Sequence, residues 1–159
     1  MGYGRFASLA RASGVSGVVI PDLPVDHSFE WREIASRHML ETVFLCAPST
    51  SNDRVVEIAR ASTGFVYLVS VYGVTGQRKR LPSYTFKFVR RVAKFTNKPT
   101  ALGFGISSPA HMAQALRAGA SGVIVGSALL SRIDPHDIVS SEERIVSFVK
   151  ELKKASTAY

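Results

Sequence analysis

The chain has 159 residues, of which 46% are apolar and 20% are charged, a composition typical of a globular protein with an ordinary core. The formal net charge is +8, but no stacking aromatic residues alternate with the basic ones, so nucleic-acid binding is not expected. No apolar run approaches the roughly 18 residues of a membrane span. The opening stretch MGYGRFASLARASG lacks the apolar segment of a secretory signal, which favours a cytoplasmic protein without a membrane anchor.

Helical periodicity recurs along the chain. Ser108 followed by Pro109 predicts the start of one helix, and Gly119 predicts its end. Apolar residues three and four positions apart predict six long helices. They lie at about 3–12, around 31–38, 55–59, 88–93 and 112–116, and at about 141–154.

Five short apolar runs lie between these helices and predict strands. The runs are rich in β-branched and aromatic residues and do not alternate with polar ones, as is typical of strands buried on both faces. They are GVVIP (17–21), TVFLC (42–46), FVYLV (65–69), PTAL (99–102) and GVIV (122–125). Strands that alternate with helices predict a parallel α/β sheet with helical crossovers, here as a single domain over residues 1–159.

Glycine-bearing loops follow the last three strands. Their sequences are SVYGVTGQRKRLP (70–82), GFGISS (103–108) and GSALL (126–130). Ligands of parallel α/β folds bind at the carboxyl ends of the strands, and backbone N–H groups of such loops can surround a phosphate. Each loop taken alone is equally typical of a tight turn. Two neighbouring loops with GFG and GS together favour a phosphate site.

Other polar residues give weaker signals. Asp22, in the segment PDLP (21–24), suits either a general base or a turn that caps the next helix. The four histidines have no metal-ligand spacing, and each is expected to be a surface or packing residue, so no metal site is predicted. Cys46, the only cysteine, lies in an apolar run and is expected to be a buried, unreactive thiol.

Four motifs, in this order and spacing, resemble the tryptophan synthase α-subunit family. They are GVVIPDLPV, FVYLVSVYGVTGQR, LGFGISSP and GVIVGSALL, and the similarity covers nearly all of the chain. The pairing of YLVS with GVTG and then GFGIS is specific, whereas GFG or GSA alone occurs in many phosphate-binding barrels. The resemblance implies a TIM (β/α)8-barrel fold, of which this chain would form strands 4 to 8, an incomplete barrel of about five parallel strands.

The resemblance also implies an activity, which is the retro-aldol cleavage of indole-3-glycerol phosphate to indole and glyceraldehyde 3-phosphate in tryptophan biosynthesis. Thr75 would belong to a loop that closes over the substrate. The residues implied to bind the phosphate are Gly76, Gly105, Gly126 and Ser127. The residues implied to line the indole pocket are Tyr67, Gly103, Phe104 and Ile124.

The family's partner is a β subunit that receives the indole and carries pyridoxal phosphate, so no cofactor is expected in this subunit. The PDLP segment and the loop around 73–80 would lie toward that partner. The family's catalytic glutamate and aspartate are expected upstream of Met1, so no catalytic residue is predicted in this chain. An alternative is another phosphate-binding barrel, such as an indole-glycerol-phosphate synthase or a phosphoribosyl isomerase. A further alternative is a non-catalytic partial barrel that binds small phosphates or docks on the β subunit.

Overall fold

A computed structural model describes residues 1–69 and 81–157, and its strands form one parallel sheet. The strand order is the order along the chain, β1-β2-β3-β4-β5, with every neighbouring pair parallel. The strands are β1 (Gly17–Val19), β2 (Glu41–Cys46), β3 (Val66–Val69), β4 (Thr100–Gly103) and β5 (Gly122–Val123). The expected incomplete α/β sheet of five parallel strands is confirmed.

Helices connect the strands and flank the sheet. The helices are α1 (Tyr3–Ala12), α2 (Phe29–Arg37), α3 (Asn52–Ala61), α4 (Ser83–Val92), α5 (Pro109–Arg117), α6 (Ser127–Leu130) and α7 (Ile138–Thr157), with a 3-10 turn at Val25–His27. All six long helices expected from the sequence are present, and α6 is the short helix after β5. Gly119 follows the end of α5 with a φ of +102°, as the sequence predicts.

One face of the sheet packs against the helices and forms the main core. The strands contribute alternate residues to it, and the helices α3, α4 and α5 contribute the apolar residues of one side. The fully buried members include Leu68 of β3, Leu102 of β4, Val55 of α3 and Val89 of α4, each with 0% exposure. Because strand residues alternate between faces, the neighbours of Leu68 and Leu102 along their strands lie on the opposite face of the sheet.

Two smaller clusters hold the ends of the chain. Trp31 of α2, 1% exposed, contacts the rings of Tyr3 and Phe6 of α1 at centroid distances of 5.6 and 5.9 Å. At the other end, Phe148 and Leu152 of α7 pack around the buried Ala128 of α6. The aromatic contacts fix α1 on α2, and α7 fixes the short helix that follows β5.

β5 is shorter than the sequence indicates. The run GVIV predicts a strand to residue 125, but the ladder pairs only Gly122 with Ala101 and Val123 with Leu102. One further bond follows, from the N–H of Ile124 to the carbonyl of Leu102. The ladder stops there because β4 ends at Gly103 and the chain then turns out of the sheet.

Two other expectations concern burial. Cys46 is buried, with 0% exposure, and burial raises the pKa of its thiol to about 11, which keeps it protonated near neutral pH. This environment is consistent with the expected unreactive thiol.

In the two described ranges, no helix is both long and apolar enough to cross a lipid bilayer.

The position of Leu102 predicts a large contribution to stability. We expect Leu102→Ala to lower the free energy of unfolding by about 2–5 kcal/mol, because it removes a buried side chain from the centre of the sheet. Leu9→Ala on α1 is the matched control, since Leu9 is 50% exposed and its loss should change stability by less than about 0.5 kcal/mol. Urea unfolding followed by circular dichroism measures both, and equal effects would contradict the assignment of the core.

Candidate functional site

The loop after β4 has an unusual backbone. Phe104 and Gly105 are consecutive residues with positive φ, +64° and +76°. Phenylalanine rarely adopts this left-handed conformation, which costs on the order of 1–3 kcal/mol and persists only where the surroundings fix it. Such strain is concentrated at ligand-binding sites, so the observed outlier points to the loop GFGISS as a site of function.

The far end of this loop is tied to helix α5. Ser108 is the N-cap of the helix, and its Oγ accepts a hydrogen bond from the N–H of His111 at 3.3 Å. The N–H of Ser107 donates to Nδ1 of His111 at 3.3 Å. Ile106, between the strained residues and the cap, is buried at 3% exposure. The loop is therefore anchored on the side of α5 by a buried side chain and two hydrogen bonds.

The near end of the loop contacts Tyr67 of β3. The rings of Tyr67 and Phe104 meet edge to face with a centroid distance of 5.9 Å. Gly103 leaves room for the tyrosine, because a Cβ at this position would lie 2.5 Å from Cε1 and Cζ of Tyr67. Burial raises the pKa of Tyr67, so its hydroxyl remains a neutral hydrogen-bonding group near neutral pH.

Three of the four residues implied for an indole pocket share one side of the sheet. Leu68 and Leu102 belong to the main core, and Val123 and Val125 pack against it. By alternation, Tyr67, Gly103 and Ile124 lie on the opposite face. Phe104, the fourth, follows Gly103 directly and contacts the ring of Tyr67. The structure thus brings these four residues to adjoining positions on β3, at the end of β4 and directly after β4 and β5.

Two glycines of the expected phosphate site present backbone donors. In the part of the chain that the structure describes, the N–H groups of Gly105 and Gly126 donate to no protein acceptor. Gly126 precedes α6, and a Cβ added there would meet no atom within 4 Å. The described residues therefore give no steric reason for glycine at this position, while space beside an unengaged N–H group suits an anion.

The remaining expected residues have different outcomes. Ser127 is the first residue of α6, beside Gly126 and half-buried. Thr75 and Gly76 lie outside the described residues, as does most of the loop 70–82.

The sequence predicts His111 only as a surface or packing residue. In the structure it is 5% exposed, and its ring accepts a hydrogen bond from the GFGISS loop. Its position three residues after a predicted helix cap was the available signal.

Apart from the loops after β4 and β5, a cleft lies at the end of β1. It has a volume of 390 Å³ and is lined by residues 21–25 together with Phe44, Leu45, Thr50, Arg54 and Ile58. Asp22 borders this cleft but is exposed, and no described cation lies within ion-pair distance of its carboxylate. It caps no helix either, because α2 begins after Ser28 without a side-chain cap. Asp22 therefore lies in a turn, but its side chain caps neither the 3-10 helix Val25–His27 nor α2.

An ion pair between Asp26 and Arg54 fixes the segment that follows Asp22. Arg54 of α3 forms two hydrogen bonds with the carboxylate of Asp26 and a third with Glu57 at 2.8 Å. The guanidinium holds the pKa of Asp26 below its usual value. The pair joins the 3-10 turn after PDLP to helix α3, although its exposure to water limits its contribution to stability.

No group of three or more histidine, cysteine, aspartate or glutamate side chains within residues 1–69 and 81–157 is placed to hold a metal ion. The chemistry that the described site offers is therefore that of backbone N–H donors, a neutral tyrosine hydroxyl and an apolar surface. This combination can bind a small molecule with an anionic group at one end and an aromatic ring at the other.

The parallel sheet and the loops at its carboxyl edge define an α/β protein of the TIM-barrel kind. Residues 1–157 match the family model described as tryptophan synthase alpha chain. The chain therefore belongs to the tryptophan synthase α-chain family.

Individual relatives agree with this assignment. The chain is 50% identical over 132 residues to the tryptophan synthase alpha chain of Thermococcus kodakarensis, covering 83% of this chain and 53% of the relative. It is 44% identical over 152 residues to that of Pyrococcus abyssi, covering 96% and 61%. A solved structure of the tryptophan synthase α2β2 complex from Pyrococcus furiosus aligns with a TM-score of 0.86 and 41% identity, covering 96% of this chain and 61% of that one. The chain thus spans about half to three fifths of the length of these relatives.

The contact between Gly103 and Tyr67 predicts an energetic coupling. We expect Gly103→Ala to destabilise the protein by about 1–3 kcal/mol, because the new Cβ displaces the tyrosine ring from Phe104. In a Tyr67→Val background the same substitution should cost less, since valine has no atoms at the clashing positions. Urea unfolding of the four proteins gives the coupling energy. Gly122→Ala in β5 is the control, because a Cβ there meets nothing within 4 Å. Strict additivity at Gly103 and Tyr67 would contradict the contact.

Proposed function

We propose that this chain binds indole-3-glycerol phosphate as the substrate-binding part of a tryptophan synthase α subunit. The observation that carries the proposal is the pair of unengaged glycine N–H groups, at Gly105 and Gly126, in the loops after two neighbouring strands. The substrate has an anionic group and an aromatic ring at opposite ends. The loops and the face of the sheet beside them offer a matching surface for each end.

The phosphate end is assigned to the glycine loops. Backbone N–H groups of Gly76, Gly105, Gly126 and Ser127 are proposed to donate to the phosphate oxygens. Such donors are fixed by the fold and lose little entropy on binding, and they favour an anion without a positively charged side chain. The open space beside Gly126 supports this assignment, since a side chain there would occupy room needed by the anion.

The indole end is assigned to the face of the sheet that lies away from the main core. Tyr67, Gly103, Phe104 and Ile124 are proposed to line the ring, and Thr75 to belong to a loop that closes over it. The edge-to-face pair of Tyr67 and Phe104 supplies an apolar aromatic wall next to the phosphate loop. In this proposal the substrate extends from the two glycine loops, which bind its phosphate, to the neighbouring face of the sheet, which contacts its ring.

The cleavage itself needs proton transfers. Breaking the bond between the indole ring carbon and the glycerol chain requires a proton on that carbon and the loss of one from a hydroxyl, which yields indole and glyceraldehyde 3-phosphate. Placed carboxylates perform such transfers. The family's glutamate and aspartate are expected from strands outside this sequence, so this chain is proposed to supply binding and orientation. A pyridoxal-phosphate-carrying β subunit is the proposed partner that receives the indole, and this subunit is proposed to use no cofactor.

The binding proposal is tested with glycerol 3-phosphate, which carries only the phosphate end of the substrate. We expect saturable binding in isothermal titration calorimetry and at least about tenfold weaker binding by Gly105→Asp, because the new carboxylate occupies the anion's space and repels it. Gly14→Asp is the matched control. Gly14 has a similar φ of +81° and open surroundings, but it precedes β1 at the other edge of the sheet.

Equal affinities of the two variants would contradict the phosphate assignment. The catalytic part is tested by indole release from indole-3-glycerol phosphate with saturating β subunit. We expect no turnover by this chain alone. Turnover that Asp22→Asn abolishes would instead assign proton transfer to a carboxylate of this chain.

A further inference from the structure

A buried histidine that the family motifs do not account for contacts the proposed phosphate loop. His111 lies in the first turn of α5 and is 5% exposed. Its Nδ1 accepts the backbone N–H of Ser107 at 3.3 Å and lies 3.5 Å from the Ser107 hydroxyl oxygen. Its own N–H donates to Oγ of Ser108. The residue is thus bonded through its ring and its backbone to the two serines that end the GFGISS loop.

The hydrogen bond defines the form of the ring. A nitrogen that accepts an N–H group must carry its lone pair, so Nδ1 is unprotonated and the single ring proton of the neutral imidazole is on Nε2. A leucine or methionine would fill the same volume but could not accept this bond. With either substitution the hydrogen bond from the Ser107 N–H to residue 111 is lost, which weakens the attachment of the loop to α5.

The loop requires such anchoring. Phe104 is in the left-handed region, a conformation that a phenylalanine keeps only where the surrounding structure fixes it. The ring of Tyr67 contacts the near end, and His111 binds the far end. The histidine engages the N–H of Ser107, whereas the N–H of Gly105, the donor assigned to the phosphate, has no acceptor among the described residues.

We propose that His111 is a positioning residue for phosphate binding, holding the GFGISS loop through its Nδ1 so that the N–H of Gly105 remains available to the anion. This inference rests on the proposed function for its ligand. His111 belongs neither to the residues predicted to bind the phosphate nor to those predicted to line the indole pocket. The residue does not touch the substrate and acts through Ser107.

Three substitutions separate the hydrogen bond from packing. Asparagine places its Oδ1 near the position of the histidine Nδ1, glutamine places its amide closer to the position of Nε2, and leucine has no acceptor. We expect His111→Asn to bind glycerol 3-phosphate within about threefold of the unmodified chain. His111→Leu and His111→Gln should bind it about tenfold more weakly, the effect of losing one hydrogen bond that orders the site. His38→Leu, at the end of α2, is the control for removing a histidine elsewhere.

Nuclear magnetic resonance provides a readout independent of binding. In the unmodified chain, the ¹⁵N shift of the His111 ring should show an unprotonated, accepting Nδ1. The amide signal of Ser107 should move strongly in His111→Leu and little in His111→Asn. Urea unfolding establishes that the variants are folded. The ¹⁵N shift of the His111 ring is measured on the unmodified chain, so this test does not depend on the folding of a variant.

The outcomes distinguish the two proposals. Equal affinity of folded His111→Leu and the unmodified chain would overturn the positioning role, as would equal weakening by His111→Asn and His111→Leu. A protonated Nδ1 in the unmodified chain would also overturn it. Failure of the unmodified chain to bind glycerol 3-phosphate overturns the proposed function and, with it, the role in phosphate binding, while the Ser107 signal still decides whether the histidine fixes the loop.

Discussion

The candidate site depends on the register in which β3 pairs with β4. This register aligns Leu68 with Leu102 and Val69 with Gly103, so the two leucines enter the core together. Tyr67 and Gly103 then fall on the other face, close enough for the tyrosine ring to cover the glycine. A slip of one residue in β4 would move Leu102 to the face opposite Leu68, so the hydrophobic burial that stabilises the sheet also sets the geometry of the site.

The loop after β4 shows how a strained conformation is maintained. The left-handed conformation of Phe104 costs free energy, whereas Gly105 adopts a positive φ without steric strain. The compensation comes from outside, through the ring contact with β3, the burial of Ile106 and the bonds to α5. Each of these partners belongs to a regular element with its own packing. The site is therefore as rigid as the sheet and the helix that enclose it, which is what a preformed anion site requires.

The sequence predicts the regular elements well and the site only in part. Apolar runs and the cap at Ser108 are local signals, and the structure has a strand or helix at each of them. The early end of β5 depends on the backbone of Phe104 and Gly105, eighteen or more positions earlier, which no local pattern records. The same holds for Arg91 of α4, which donates to the carbonyl of Thr50, 41 residues away. Long-range contacts of this kind decide loop conformation and are invisible to periodicity.

Glycine spacing predicts ligand-binding loops after β4 and β5, but it does not show why each glycine is there. Gly103 is required by a protein atom, since Tyr67 occupies the space of any side chain. Gly126 is required by nothing in the described chain, and its surroundings are open. In barrels of this kind, binding and catalytic groups come from the ends of different strands. The loop after β4 is held by contacts with β3 and α5, and the loop after β5 leads into α6, which packs against α7. The proposed binding of the phosphate end therefore rests on elements of this chain, and it is separable in principle from the proposed cleavage.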